Sequence, residues 1–234
     1  MRRMLTKSSV KWVVAVFCAV ALIGGTLVWH LGGGGGAGAP GGVIAEVDGE
    51  PIYLEDLQMQ VDQQVMMMQM GGQEVDDEFY GALQGMVLDN MISIELLTQE
   101  ARRQGVDVPS DEVDEEMDMI VEQYFEGEEE ALQEALSAEG IDIEDLRDDI
   151  ENQLRVDNFI DAYLAQEYEG EADEVTEEEL RELYEQYDAE MEGLPGFEEM
   201  EPELRAEILE GREQQAIDRL VRELRENSDI EIYQ

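Results

Sequence analysis

Val43-Ile44-Ala45-Glu46-Val47-Asp48-Gly49-Glu50-Pro51-Ile52-Tyr53 is the stretch that decides the fold. Two short runs, Val43 to Val47 and Glu50 to Tyr53, flank Asp48-Gly49, a dipeptide that supplies the positive φ angles of a tight turn. The stretch therefore predicts a β-hairpin. At the far end of the chain Ile230-Glu231-Ile232-Tyr233 alternates apolar and polar residues and reads as a strand. A lone terminal strand must pair, and the hairpin is the partner the sequence offers. The two ends of residues 43–234 are therefore expected to meet in one small sheet.

Between these ends the chain reads as helix. Periodicity places helices near 54–70, 77–104, 110–125, 128–139, 143–169, 176–190 and 203–227. Their stops and starts are marked by Gly71-Gly72, by Gly105 with Pro109-Ser110, by Gly127 and Gly140, by the capping box from Thr176 to Glu179, and by Pro195, Gly196 and Pro202. The second helix carries a core stripe at Leu83, Val87, Asn90/Met91, Ile94, Leu97 and Ala101. The fifth carries one at Ile143, Leu146, Ile150, Leu154, Ile160 and Leu164, and the last brings Ile217, Leu220, Val221 and Leu224. No internal repeat is found. The expected fold is mostly α, a two-lobed or hooked helical domain over residues 43–234 with a small β-sheet joining the chain ends.

Toward the N-terminus, Trp12 to Leu31 is an uncharged run of about 20 residues, enough to cross a hydrocarbon core as a helix. Trp12 and Trp29 would stand about 26 Å apart, the spacing of an aromatic belt. Arg2, Arg3, Lys7 and Lys11 precede the run, and by the positive-inside rule residues 1–11 form a cytoplasmic tail. A single-pass protein of the cytoplasmic (inner) membrane, with its C-terminal domain extracytoplasmic or periplasmic, is expected. The competing reading is a cleaved signal peptide, for which Ala37-Gly38-Ala39 would be the site; Pro40 directly after it and the length of the apolar run oppose that. Residues 32–42, nearly all glycine, read as a flexible tether. Cys18 lies inside the apolar run after Val16 and Phe17, where a lipidation signal would need small residues.

Charge is the strongest compositional signal. The chain has 14 Lys+Arg against 60 Asp+Glu, a net −46. Four of the basic residues lie before the apolar run, so the remainder sets ten against 60, or −50. Such a surface repels phosphate backbones, and no nucleic-acid partner is expected. The acids spread along the whole chain, which points to a halophilic, salt-adapted surface; a face for a basic partner is the rival reading.

Residues 43–234 contain neither His nor Cys, which excludes thiol nucleophiles and His-dependent acid–base chemistry, and no Gly-rich phosphate loop joins a strand to a helix. With 60 acids present, any carboxylate pair is uninformative, and no Asp-x-Asp-x-Asp-Gly calcium loop occurs. No enzyme, metal site or cofactor is expected.

The informative cluster is Met66-Met67-Met68-Gln69-Met70. At 100° per residue, Leu54, Leu57, Val61, Val65 and Met68 form the core stripe of the first helix, while Met59, Met66 and Met70 gather on its opposite side. Flexible thioethers suit a surface that must accept many sequences, which makes Met59, Met66 and Met70 the candidate client-binding residues. A helix sandwiched between two layers, with methionine as filler, would give the same pattern, and a copper(I) thioether site is a third reading.

The order of motifs is familiar. Val47-Asp48-Gly49-Glu50-Pro51-Ile52 opens into a helix, and Leu88 to Glu100-Ala101 closes at Gly105-Val106. Val108-Pro109-Ser110-Asp111-Glu112-Val113 follows, then Val175-Thr176-Glu177-Glu178-Glu179-Leu180 with Tyr184, and a terminal helix returning to a strand. Over nearly all of residues 43–234 this resembles the SurA N-terminal chaperone domain, shared with the membrane-anchored PpiD and lipid-anchored PrsA foldases.

The resemblance implies an ATP-independent holdase for unfolded secreted or outer-membrane polypeptides, acting close to the translocon. In many such proteins a parvulin isomerase domain, whose site uses histidines, precedes the terminal helix. Here 15 positions separate Tyr187 from Pro202 and the only histidine is His30, so a member without prolyl isomerase activity is expected. A structural adaptor tethering an envelope complex to the membrane is the alternative.

Overall fold

A computed structural model describes residues 42–139, 141–168, 175–190 and 194–233 of the chain. The expected basic tail and membrane span, and all of the tether but Gly42, lie outside the described residues.

Asp48 and Gly49 both adopt positive φ, 51° and 88°, so the chain reverses in two residues and β1 (Val43–Val47) pairs antiparallel with β2 (Glu50–Tyr53). β3 (Ile230–Ile232) pairs antiparallel with the other edge of β1, giving the order β2-β1-β3. The two ends of the described chain thus meet, as the sequence predicts. The strand period of two puts Ala45 and Val47 on one face of β1, and both are fully buried with Ile52 of β2.

Seven helices follow among the described residues: α1 (Leu54–Met70), α2 (Asp77–Arg103), α3 (Ser110–Tyr124), α4 (Glu129–Glu139), α5 (Ile143–Glu167), α6 (Glu177–Glu190) and α7 (Phe197–Asn227). The first six match the sequence reading to within two residues. The seventh begins six residues earlier than Pro202 suggests, because the Gly196 carbonyl accepts from the backbone N–H of Glu199 at 2.9 Å and of Met200 at 3.2 Å. Pro202 inside the helix then loses one helical hydrogen bond and sets its ring against the carbonyl of Glu198, a cost of about 3 kcal/mol. Packing outweighs it: Leu204 is buried with Val175 and Leu180, and Phe197 and Met200 pack against them, each apolar side chain contributing about 1.5–3 kcal/mol on full burial.

The described chain divides into two compact units, one running to Asn158 and resuming at Leu224, the other Phe159–Glu223. Two apolar cores of the first are set out by the described residues. In one, Ala45, Val47 and Ile52 of the sheet meet Leu57 and Val61 of α1 and Leu83, Val87, Met91, Ile92 and Leu96 of α2. The other joins Val113, Ile120 and Val121 of α3 to Leu132 and Leu136 of α4 and to Leu146 and Ile150 of α5. The second unit is built on Val175, Leu180 and Leu204.

Two expected core residues lie outside. Leu54 is 37% exposed; as the first residue of α1 its side chain tilts toward the helix N-terminus, past the layer it would pack on. Ile94 of α2 is 38% exposed, while Ile92, Glu95 and Leu96 are buried in its place. The reason is the sheet. Gln99 of α2 donates through Nε2 to the Val47 carbonyl and to Glu95 Oε1, both at 2.8 Å, which turns the side carrying residues 92, 95, 96 and 99 inward. Burial pushes the Glu95 carboxyl up, and the Gln99 bond partly offsets this.

Candidate functional site

The candidate surface lies where α1 ends and α2 begins. α1 stops because Gly72 takes a left-handed φ of 81°. Its N–H donates to the Gln69 carbonyl and that of Gln73 to the Met68 carbonyl, both at 2.9 Å, the paired bonds by which a glycine one position past the cap satisfies the last carbonyls. α2 starts because Asp76 caps it, accepting from the Phe79 N–H at 2.8 Å through Oδ1. Both helix ends are therefore fixed, with a six-residue connection between them.

The two helices pack through Leu57 and Val61 against Leu83, Val87 and Met91. The Tyr80 hydroxyl donates to Asp62 Oδ1 at 3.1 Å and ties them antiparallel; burial, then the Asp62 bond and charge, push this phenol up.

The sequence-predicted site residues sit on α1 as follows. Met66 is 64% exposed and Met70 83%, one helical turn apart, whereas Met59 is half-buried. Met67, which the sequence reading left unassigned, is 48% exposed, and Met68, expected in the core stripe, is half-buried.

Sequence reasoning missed the contribution of α2. Phe79 and Met86 are also exposed. Seven residues apart, they fall within about 20° of one another at 100° per residue. The wheel carries little signal for them: Phe79 lies about 40° from Leu83, at the angle of Leu97 in the expected stripe, and Met86 about 60° from it. The connection from α1 to α2 carries an open groove of about 750 Å³ lined by Gln69, Gly72, Gln73, Glu74, Val75 and Asp76.

Chemically, this arrangement can bind. Thioether and aromatic faces supply apolar contact area worth about 25 cal/mol per Å² removed from water, and methionine's three rotatable bonds fit it to differing shapes. Acidic groups toward the other ends of the two helices are perturbed by their setting. Asp56, in the first turn of α1 and 8% exposed, is pushed up to about 6 by burial and by the charge of Glu55. Glu100 near the far end of α2 is held below the usual carboxylate range by Arg103, whose guanidinium donates to both its oxygens at 2.7 Å. Among the described residues, no group of three or more His, Cys, Asp or Glu is placed to hold a metal ion.

The family model of the SurA-like N-terminal domain matches residues 1–160 of the chain. That span contains the hairpin, α1 to α4 and most of α5. No curated protein matches the chain.

Proposed function

Because the chain belongs to the family of SurA-like N-terminal domains, a chaperone-type family, we propose that it is a membrane-anchored, ATP-independent holdase that keeps unfolded polypeptides soluble after they cross the membrane. The observation that carries this reading is the exposure of Met66 and Met70 on α1 and of Phe79 and Met86 on α2. An adaptable apolar surface on a firmly held helix pair is what transient binding of many sequences requires. Release follows from weak multi-site contact, since a shallow surface gives fast dissociation without nucleotide hydrolysis.

In this reading residues 12–31 anchor the chain in the cytoplasmic membrane, residues 1–11 stay inside, and residues 32–42 tether the domain 43–234 on the extracytoplasmic side, close to the translocon. Its clients are secreted or outer-membrane polypeptides. It carries no prolyl isomerase activity, a view supported by the short segment between α6 and α7.

The test is aggregation of a denatured outer-membrane protein diluted into buffer, with the full chain held in lipid nanodiscs and no nucleotide added. Suppression of light scattering at near-equimolar chain is expected. Scattering indistinguishable from empty nanodiscs would sink the holdase reading and favour an adaptor.

A further inference from the structure

We propose that the methionine surface of α1 and α2 selects cationic clients, namely unfolded segments whose apolar anchors are flanked by Lys or Arg. The inference rests on the client-binding reading and narrows it. Residues 43–101, which build the sheet, α1 and nearly all of α2, contain 13 acids and not one Lys, Arg or His. Glu74, Asp77 and Glu78, between Met70 and the exposed Phe79 or next to it, are themselves exposed, and among the described residues none of the three is in an ion pair with a cation. Solvated carboxylates of one sign thus flank the exposed apolar residues along the connection from α1 to α2.

The chain's own cations are placed elsewhere. Arg102 and Arg103 lie about 35 Å along α2 from Phe79, at 1.5 Å per residue. Arg225 of α7 reaches α2 one turn beyond Met86, where it is taken up by Asp89 Oδ1 at 2.7 Å and by the Asp89 carbonyl at 2.8 Å. Of the ten arginines after the apolar run, eight are in ion pairs among the described residues, so little is left to attract an acidic segment.

A client's Lys or Arg can lay its aliphatic stem on the thioethers while its head group meets these carboxylates. Each such solvated pair raises affinity by about 1.4- to 5-fold. An acid-flanked client meets the same carboxylates as repulsion. With attraction for one client and repulsion for the other, two or three flanking charges in the middle of that range compound to a difference of about tenfold or more in affinity.

Three fluorescent peptides with one apolar centre and Lys/Arg, Ser or Glu flanks would be titrated onto the full chain in nanodiscs of zwitterionic lipid, followed by anisotropy. At about 0.15 M salt the Lys/Arg peptide should bind at least about tenfold tighter than the Glu peptide, and at about 1 M salt, where the screening length falls to about 3 Å, the preference should collapse. The variant E74Q/D77N/E78Q should lose most of the preference while still binding the Ser-flanked peptide.

Equal affinity for all three peptides would overturn the charge selection and leave the holdase reading standing. Failure of all three to bind would overturn both. Binding of the Lys/Arg peptide that is undiminished in M66Q/M70Q would mean that acids alone attract it, and would also overturn the proposal.

Discussion

Asp48 and Asp229, 181 positions apart, hold each other by a reciprocal pair of hydrogen bonds: the Asp48 N–H donates to the Asp229 carbonyl at 2.8 Å and the Asp229 N–H to Asp48 Oδ1 at 2.7 Å. The turn residue that closes the first hairpin thereby also receives the last strand. Asp48 sits at φ 51°, a left-handed conformation that Asp and Asn tolerate better than other side chains.

Asp48→Ala should therefore cost more than a surface substitution. It loses the bond to Asp229, a net loss of about 1 kcal/mol, and places an alanine where the left-handed penalty is about 1–2 kcal/mol. Asp48→Asn keeps both the acceptor and the conformational tolerance and should stay within about 0.5 kcal/mol of the parent. Urea midpoints measured side by side decide it, and equal midpoints for the Ala and Asn variants would refute the clasp.

Much of this could be read in the residues. Asp-Gly dictates its turn by backbone sterics alone, and Thr176 with Glu179 dictates a capping box by spacing alone. That box forms: the Thr176 N–H and Oγ1 both donate to Glu179 Oε2 at 2.8 Å, and the Glu179 N–H donates back to Thr176 Oγ1 at 3.2 Å. What periodicity could not supply is anything set by a distant partner. Arg212 of α7 joins the box from 33 residues away, and the box bonds together with this guanidinium hold the Glu179 carboxyl down at about 2. Ile94 was misread for the same reason, because the sheet that redirects α2 is assembled from both chain ends. The helix wheel turns Met66 and Met70 of α1 outward, as they are, but groups the half-buried Met59 with them, and the exposure of Phe79 and Met86 is set by packing that the wheel of α2 does not carry.

Asp56 predicts an acid-stabilised region. At the third position of α1 the helix dipole favours its charged form by about 0.3–1 kcal/mol, yet burial and Glu55 win and raise it to about 6. A carboxyl whose folded value lies above its ordinary 3.8 opposes folding when charged. Its contribution is thus fully favourable below about 4 and is lost as pH rises through about 6. Burial raises Glu95 in the same direction, while Glu179, held low, weakens the fold only as pH falls from 4.5 toward about 2. Stability should therefore rise from pH 7.5 to pH 5 in constant salt. Asp56→Asn should flatten that rise and stabilise the protein at pH 7.5 by up to about 3 kcal/mol. An unaltered pH slope in the variant would show Asp56 to be adequately solvated.

Salt should act in the same sense as protonation, because both relieve like charge. With ten basic residues against 60 acids after the apolar run, repulsion extends over about 10 Å in 0.1 M salt and only about 3 Å in 1 M. The melting temperature should climb steadily across that range. A flat profile would mean that the acids are compensated locally, and the halophilic reading would be abandoned.

The functional prediction concerns Met66 and Met70. Both side chains are mostly exposed, and Gln is nearly as good a helix former as Met, so M66Q/M70Q should keep α1 intact and shift stability by less than about 0.5 kcal/mol per site. If these thioethers hold clients, suppression of aggregation should fall severalfold, since each replaces apolar contact worth about 25 cal/mol per Å² with an amide that prefers water. Adding Met59→Gln separates the exposed pair from the half-buried third methionine. Its inner part packs within the structure, so the triple variant should lose more stability than the double while losing little further activity. Circular dichroism, urea midpoints and light scattering on the same preparations distinguish the outcomes. A double variant that unfolds would make the stripe part of the core, and a folded double variant with full activity would move client binding away from α1 altogether.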